Sequence, residues 1–161
     1  MKKTLIFAIS SLLAIAFLSS CGDKQVKEPA VSSGGDYVLD SINKQVKDFS
    51  IDGFNGGGAT MKQNDDFENM KNIISIVKPI IEKMPDGYAM QVTGHCAAYD
   101  SPAMQQSVSK ARAKKVYDEL KAAGVPESKM TYKGAGIDEP DARYDAKDFK
   151  QRRVSFKAIK K

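Results

Sequence analysis

Histidine and cysteine are scarce in this chain, with one His and two Cys among 161 residues. A structural zinc site draws on four Cys and His side chains, so His95 and Cys96 would need two carboxylates converging from elsewhere, and no metal or other cofactor is expected. A thiol nucleophile needs a base that faces it. The sole histidine is instead the direct neighbour of Cys96 on what reads as a strand end, where consecutive side chains point to opposite faces. Cysteine-histidine catalysis is therefore not expected, and the chain reads as a non-enzyme. Basic clusters are lacking too. The 25 Lys and Arg are scattered among 20 Asp and Glu for a net charge of +5, without the concentrated footprint that nucleic acid requires. No internal repeat is present.

Long apolar runs are also absent, with one exception. Met1-Lys2-Lys3 precedes TLIFAISSLLAIAFL, which is short for a spanning helix and fits the apolar region of an export signal. It ends in Leu18-Ser19-Ser20-Cys21, which resembles the lipobox cut by the lipoprotein signal peptidase. Residues 1–20 are thus expected to be a lipoprotein signal peptide, with Cys21 the lipidated N-terminus of the mature chain. Cys96 then remains as the single thiol, which rules out an intramolecular disulfide. Loss of Lys2 and Lys3 lowers the charge to 5 − 2 = +3. Residues 21–35, rich in Pro, Ser and Gly without apolar periodicity, read as a flexible tether, and 36–161 as one domain.

Within that domain DYVLDSINKQV suits a short helix or a strand, and DFSIDGF alternates as a strand until the glycines at 56–58 end it. Phe67, Met70, Ile73, Ile74, Val77, Ile80, Ile81 and Met84 predict an amphipathic helix over 64–84, capped by Asn64 or Asp65. Pro79 predicts a kink or break near 75–79. YAMQVTG follows as a strand. A second helix is bounded by Ser101 and Pro102 at its start and by Gly124 and Pro126 beyond its end, with Val108, Val116, Leu120 and either Ala111 or Ala123 on its apolar side. KMTYKG and RRVSFKAI read as strands around a short helix or loop at 141–150. This order predicts an α/β fold with helices packed on one face of a mixed sheet.

Four motifs in order then carry a resemblance: Gly94-His95-Cys96-Ala97; Gln105, Val108-Ser109 and Arg112-Ala113, with Gly124-Val125 after the helix; Gly134-Ala135-Gly136 through Pro140; and Gln151-Arg152-Arg153-Val154. Across residues 48 to 159 the chain resembles the OmpA-like peptidoglycan-binding domain, found in outer-membrane proteins, peptidoglycan-associated lipoproteins and flagellar stator proteins. The resemblance implies an α/β sandwich that captures the peptidoglycan stem peptide, and its diaminopimelate side chain, without covalent chemistry.

An arginine fork matches a carboxylate, and an aspartate holds an ammonium. Arg112 matches the arginine position. The aspartate position, fifteen residues earlier, is Ala97, so Asp100 or Asp52 is expected to supply the acid. The implied partners are the stem peptide and, through Cys21, a bacterial membrane, with envelope proteins as further partners. The expected location is the cell envelope, at the outer membrane facing the periplasm, although Gly22-Asp23 does not choose between the two membranes. Ala97 leaves a second class open, in which the module has lost wall binding and acts as a protein-interaction domain.

Overall fold

The computed structural model describes residues 34–61, 64–98 and 101–161; Cys21 and Asp100 lie outside them. The described residues belong to one compact unit, and its core residues run from Ile42 to Ala158. In order the elements are α1 (Gly34–Val46), β1 (Ser50–Ile51), α2 (Asn64–Glu82), β2 (Tyr88–Gly94), α3 (Pro102–Ala122), β3 (Met130–Gly134) and β4 (Val154–Lys160). The sheet order is β1-β4-β2-β3. β2 pairs parallel with β3, and β4 runs antiparallel to both β2 and β1.

Register decides which face is covered. Met90 lies opposite Ala158, Val92 opposite Phe156 and Gly94 opposite Val154. The side chains in that row join Ile42 and Val46 of α1, Met70, Ile74, Val77 and Ile81 of α2, and Ala113, Val116 and Leu120 of α3 in a single core. The alternate row pairs Gln91 with Lys157 and Thr93 with Ser155, and none of these enters that core. The helices therefore share one face of a mixed sheet.

DYVLDSINKQV resolves as helix because Val38, Leu39, Ile42 and Val46 fall on one helical side, against the core. α1 also closes an edge. β1 covers β4 only at Val154 and Ser155; further along, Asn43 Nδ2 donates to the Ala158 carbonyl at 3.3 Å and Asn43 Oδ1 accepts the Ala158 N–H at 2.7 Å. One side-chain amide thus stands in for a missing strand residue.

Of the kink or break expected at Pro79, no break occurs, and α2 continues past it to Glu82. Proline removes one backbone donor, but Val77 and Ile81, both fully buried, hold either side of it in the core. α3 begins and ends as expected. Ser101 accepts the Met104 N–H at 3.4 Å with Pro102 next. At the other end Gly124 adopts φ 95°, Gly124 N–H donates to Lys121 O and Val125 N–H to Leu120 O, the paired closing bonds of a Schellman motif. Its inner face holds Val116 and Leu120 as expected, with Ala123 and not the exposed Ala111 beside them and Val108 half-buried; unexpected are Gln105, Ser109 and Arg112, buried beside Ala113. The segment 141–150 is mostly turns, ending in a one-turn 3-10 helix at Phe149–Gln151.

Candidate functional site

The polar half of α3 rests on the ends of two parallel strands. Gly94 and Gly134 pair across β2 and β3, and the helix comes so close that a Cβ on Gly94 would collide with the Ser109 carbonyl and one on Gly134 would stand 2.5 Å from Ser109 Oγ. Ser109 Oγ then accepts the Gly136 N–H at 3.0 Å, and Gly136, at φ 54°, returns its carbonyl to the Cys96 N–H at 2.7 Å. The glycines of the first and third motifs thus allow helix and strand ends to meet.

Past Gly94 the chain places three buried residues in a row, His95, Cys96 and Ala97. The His95 Nε2 and Ser155 Oγ lie 2.8 Å apart, whereas Cys96 Sγ donates to the Gln105 carbonyl at 3.3 Å. The two neighbours therefore engage different elements. Burial, reinforced by the Arg153 charge and opposed weakly by Glu139, lowers the imidazole pKa from 6.5 to about 4. His95 is neutral at pH 7.

Arg112 sits beneath this segment with no exposed surface. Its Nη1 donates to His95 O at 2.8 Å and to Cys96 Sγ at 3.4 Å. Nη2 donates to Asn55 O at 2.7 Å and Gly56 O at 2.9 Å, and Nε to Gly58 O at 2.9 Å. Those five bonds equal the five N–H donors of a guanidinium. The Phe54 ring lies 5.7 Å from its Cζ. The side chain expected to face a ligand carboxylate is thus turned inward onto the 55–58 loop, which it ties to the end of β2. A solvated lysine-like role is equally absent, although Arg112 sits among Lys110, Lys114 and Lys115 in sequence.

Asp52 is half-buried between β1 and the same loop and makes no ion pair or hydrogen bond with another described residue. Arg112 and Asp52 therefore flank one loop, and Asp100 is outside the described residues. Ala97, at the aspartate position, is 3% exposed. Gln105 packs under Cys96. Gln151 is buried and spent internally: its Nε2 donates to the carbonyls of Asp141 and Tyr144, each at 3.0 Å, while its Oε1 accepts from Asp141 N and Arg153 Nη1, each at 2.9 Å. The two arginines after it diverge, Arg152 beside Gly56 and Arg153 towards Glu139.

Sequence reasoning missed the carbonyl cage, because backbone acceptors carry no residue signature; the glycines at 56–58 were the available signal. Among the described residues no group of three His, Cys, Asp or Glu side chains gathers as a metal site, and no helix is long and apolar enough to cross a membrane.

A family model described as the OmpA family matches residues 40–153. Among solved structures, the C-terminal domain of Helicobacter pylori MotB is 19% identical with a TM-score of 0.57, over 70% of this chain and 85% of that one. The OmpA-like domain of FopA1 from Francisella tularensis subsp. tularensis SCHU S4 is 20% identical with a TM-score of 0.56, over 68% and 69%. Likeness at such identity is likeness of fold. No curated protein matches the chain.

Proposed function

The chain belongs to the OmpA family, and on that premise we propose that it is an envelope lipoprotein that binds peptidoglycan non-covalently and links a membrane to the cell wall. Cys21 carries the lipid, residues 21–35 span the gap to the wall, and the domain beyond engages the stem peptide. The outer membrane, facing the periplasm, is the proposed anchor. No catalytic step is part of this reading.

The observation that carries it is the match of residues 40–153 to the OmpA family. Arg112 lies on α3 at the position that the family resemblance gives to the ligand arginine, and it gathers the 55–58 loop and the end of β2 around one guanidinium. A stem-peptide carboxylate would reach it by replacing loop carbonyls, so capture and loop release are one event. Asp52, half-buried and unpaired among the described residues at the root of that loop, is the acid proposed to hold an ammonium, with Asp100 as the other.

A second reading, a protein-interaction module without wall binding, is favoured by Ala97 at the acid position and by the complete use of Arg112 donors within the fold. Co-sedimentation of residues 32–161 with purified sacculi separates the two. Saturable pelleting that free diaminopimelate competes away supports the wall tether; a folded domain that stays in the supernatant supports the second reading.

A further inference from the structure

Directly before β4 stands a second buried arginine, beside the opposite face of the sheet. Arg153 is 8% exposed; its Nη1 donates to Gln151 Oε1 at 2.9 Å and its Nη2 to Glu139 O at 3.0 Å. Of five guanidinium donors, three have no protein partner among the described residues. No described carboxylate pairs with it either. Asp141, the acid of the adjoining loop, is gripped by Arg143, through Nε at 3.0 Å and Nη2 at 2.7 Å. Gln151 fixes both parties, since the same amide that receives Arg153 holds the Asp141 and Tyr144 carbonyls.

Arg153 lines a cleft of about 390 Å³ with Phe49, Pro140, Ser50 and Ser155. The two serines are directly paired across β1 and β4. Charges at the rim pair with one another, Lys47 beside Asp48 at 3.9 Å and Arg143 beside Asp141, and Asp141 and Glu139 act on Arg153 only through space. A mostly desolvated guanidinium with open donors is costly unless an anion meets it. Phe49 and Pro140 add apolar walls, which suit a carboxylate carried on a small apolar group better than a bare inorganic anion.

We propose that this cleft binds a carboxylate-bearing ligand of the size of an acylated amino acid or a peptide C-terminus, with Arg153 forking the carboxylate and Ser50 and Ser155 beside it. The proposal rests on Arg153 and not on Arg112, so it stands or falls separately from wall binding.

The test is NMR of residues 32–161, following the Arg153 Nε–H and Ser155 N–H signals during titration with N-acetylalanine, its methylamide and inorganic phosphate. N-acetylalanine should shift both signals saturably and the methylamide should not. Arg153→Gln should weaken binding about ten- to a hundred-fold. Ser50→Ala, at a hydroxyl without a described partner, should weaken it a few-fold in a protein that is certain to be scored for folding by the same spectrum. The proposal is overturned if the folded domain gives no saturable shift, if the methylamide acts equally, or if phosphate alone shifts the signals.

Discussion

The Nη2 of Arg112 donates to the carbonyl of Asn55 at 2.7 Å across 57 positions of sequence. Together with the bonds to Gly56 and Gly58, this makes a single side chain the fastening of a glycine-rich loop whose own side chains offer little. Arg112→Ala strips a donor from four carbonyls and one thiol at once. With unsatisfied buried acceptors worth about 1–3 kcal/mol each and partial rescue by water, a loss of about 3–5 kcal/mol is expected. Arg112→Lys, with three donors in place of five, should fall between. Urea titrations check the order, and a loss under about 1 kcal/mol for the alanine variant would contradict the fastening role.

The approach of α3 to the strand ends makes a second prediction, this time about space. Gly94→Ala drives a methyl into the Ser109 backbone carbonyl, and Gly134→Ala drives one to 2.6 Å from Lys110 N. Backbone cannot swing aside as a flexible side chain does, so each should lose about 2–3 kcal/mol, in the upper range for overpacking. Gly57→Ala is the control, since an added Cβ there meets nothing within 4 Å; it should change stability by less than about 0.5 kcal/mol. Thermal melts of the three variants suffice.

His95 gives the fold an acid-sensitive element. Its native pKa of about 4 lies below the 6.5 of an unperturbed imidazole, so between those values the unfolded chain binds the extra proton. The stabilisation is fully present above about pH 6.5 and is lost as pH falls towards 4, by up to about 3 kcal/mol. His95→Gln should flatten this slope of stability against pH. Because His95 is the only histidine, its imidazole resonances can be titrated without overlap; a midpoint near 6.5 would refute the buried, neutral state.

The sequence made the skeleton legible where each signal was local. Ser101-Pro102 and Gly124 bounded α3 because caps are chemical, and the alternation of Val154, Phe156 and Ala158 marked the covered face of β4 because strand period is geometric. Pro79 did not break α2, because propensity counts the lost donor but not the burial of Val77 and Ile81 around it. The inner face of α3 misled for a related reason. An apolar stripe was sought, and its first half proved to be Gln105, Ser109 and Arg112, buried because carbonyls from distant segments satisfy them. Such partners are made by the fold and leave no pattern in the residues. Arg112 was legible as a site position through the resemblance alone, and its inward orientation was not legible at all.

Ala97 offers the test that bears most directly on function. Its side chain is 3% exposed, one residue beyond Cys96, whose Sγ accepts from Arg112 Nη1. Ala97→Asp restores an acid at the position where the family resemblance puts one, in the segment whose His95 carbonyl and Cys96 sulfur Arg112 holds. If the domain binds the wall through this region, the added acid supplies the ammonium partner that Ala97 lacks. Sacculus affinity should then rise about ten-fold or more, the worth of one charge-assisted hydrogen bond. It should also loosen the hold on the 55–58 loop, since Arg112 cannot serve a new acid and all five present acceptors together, so those amides should exchange faster even where overall stability is kept. Faster loop exchange with no gain in sacculus binding would show that the acid had reached Arg112 without restoring a ligand site, and the protein-interaction reading would then be preferred.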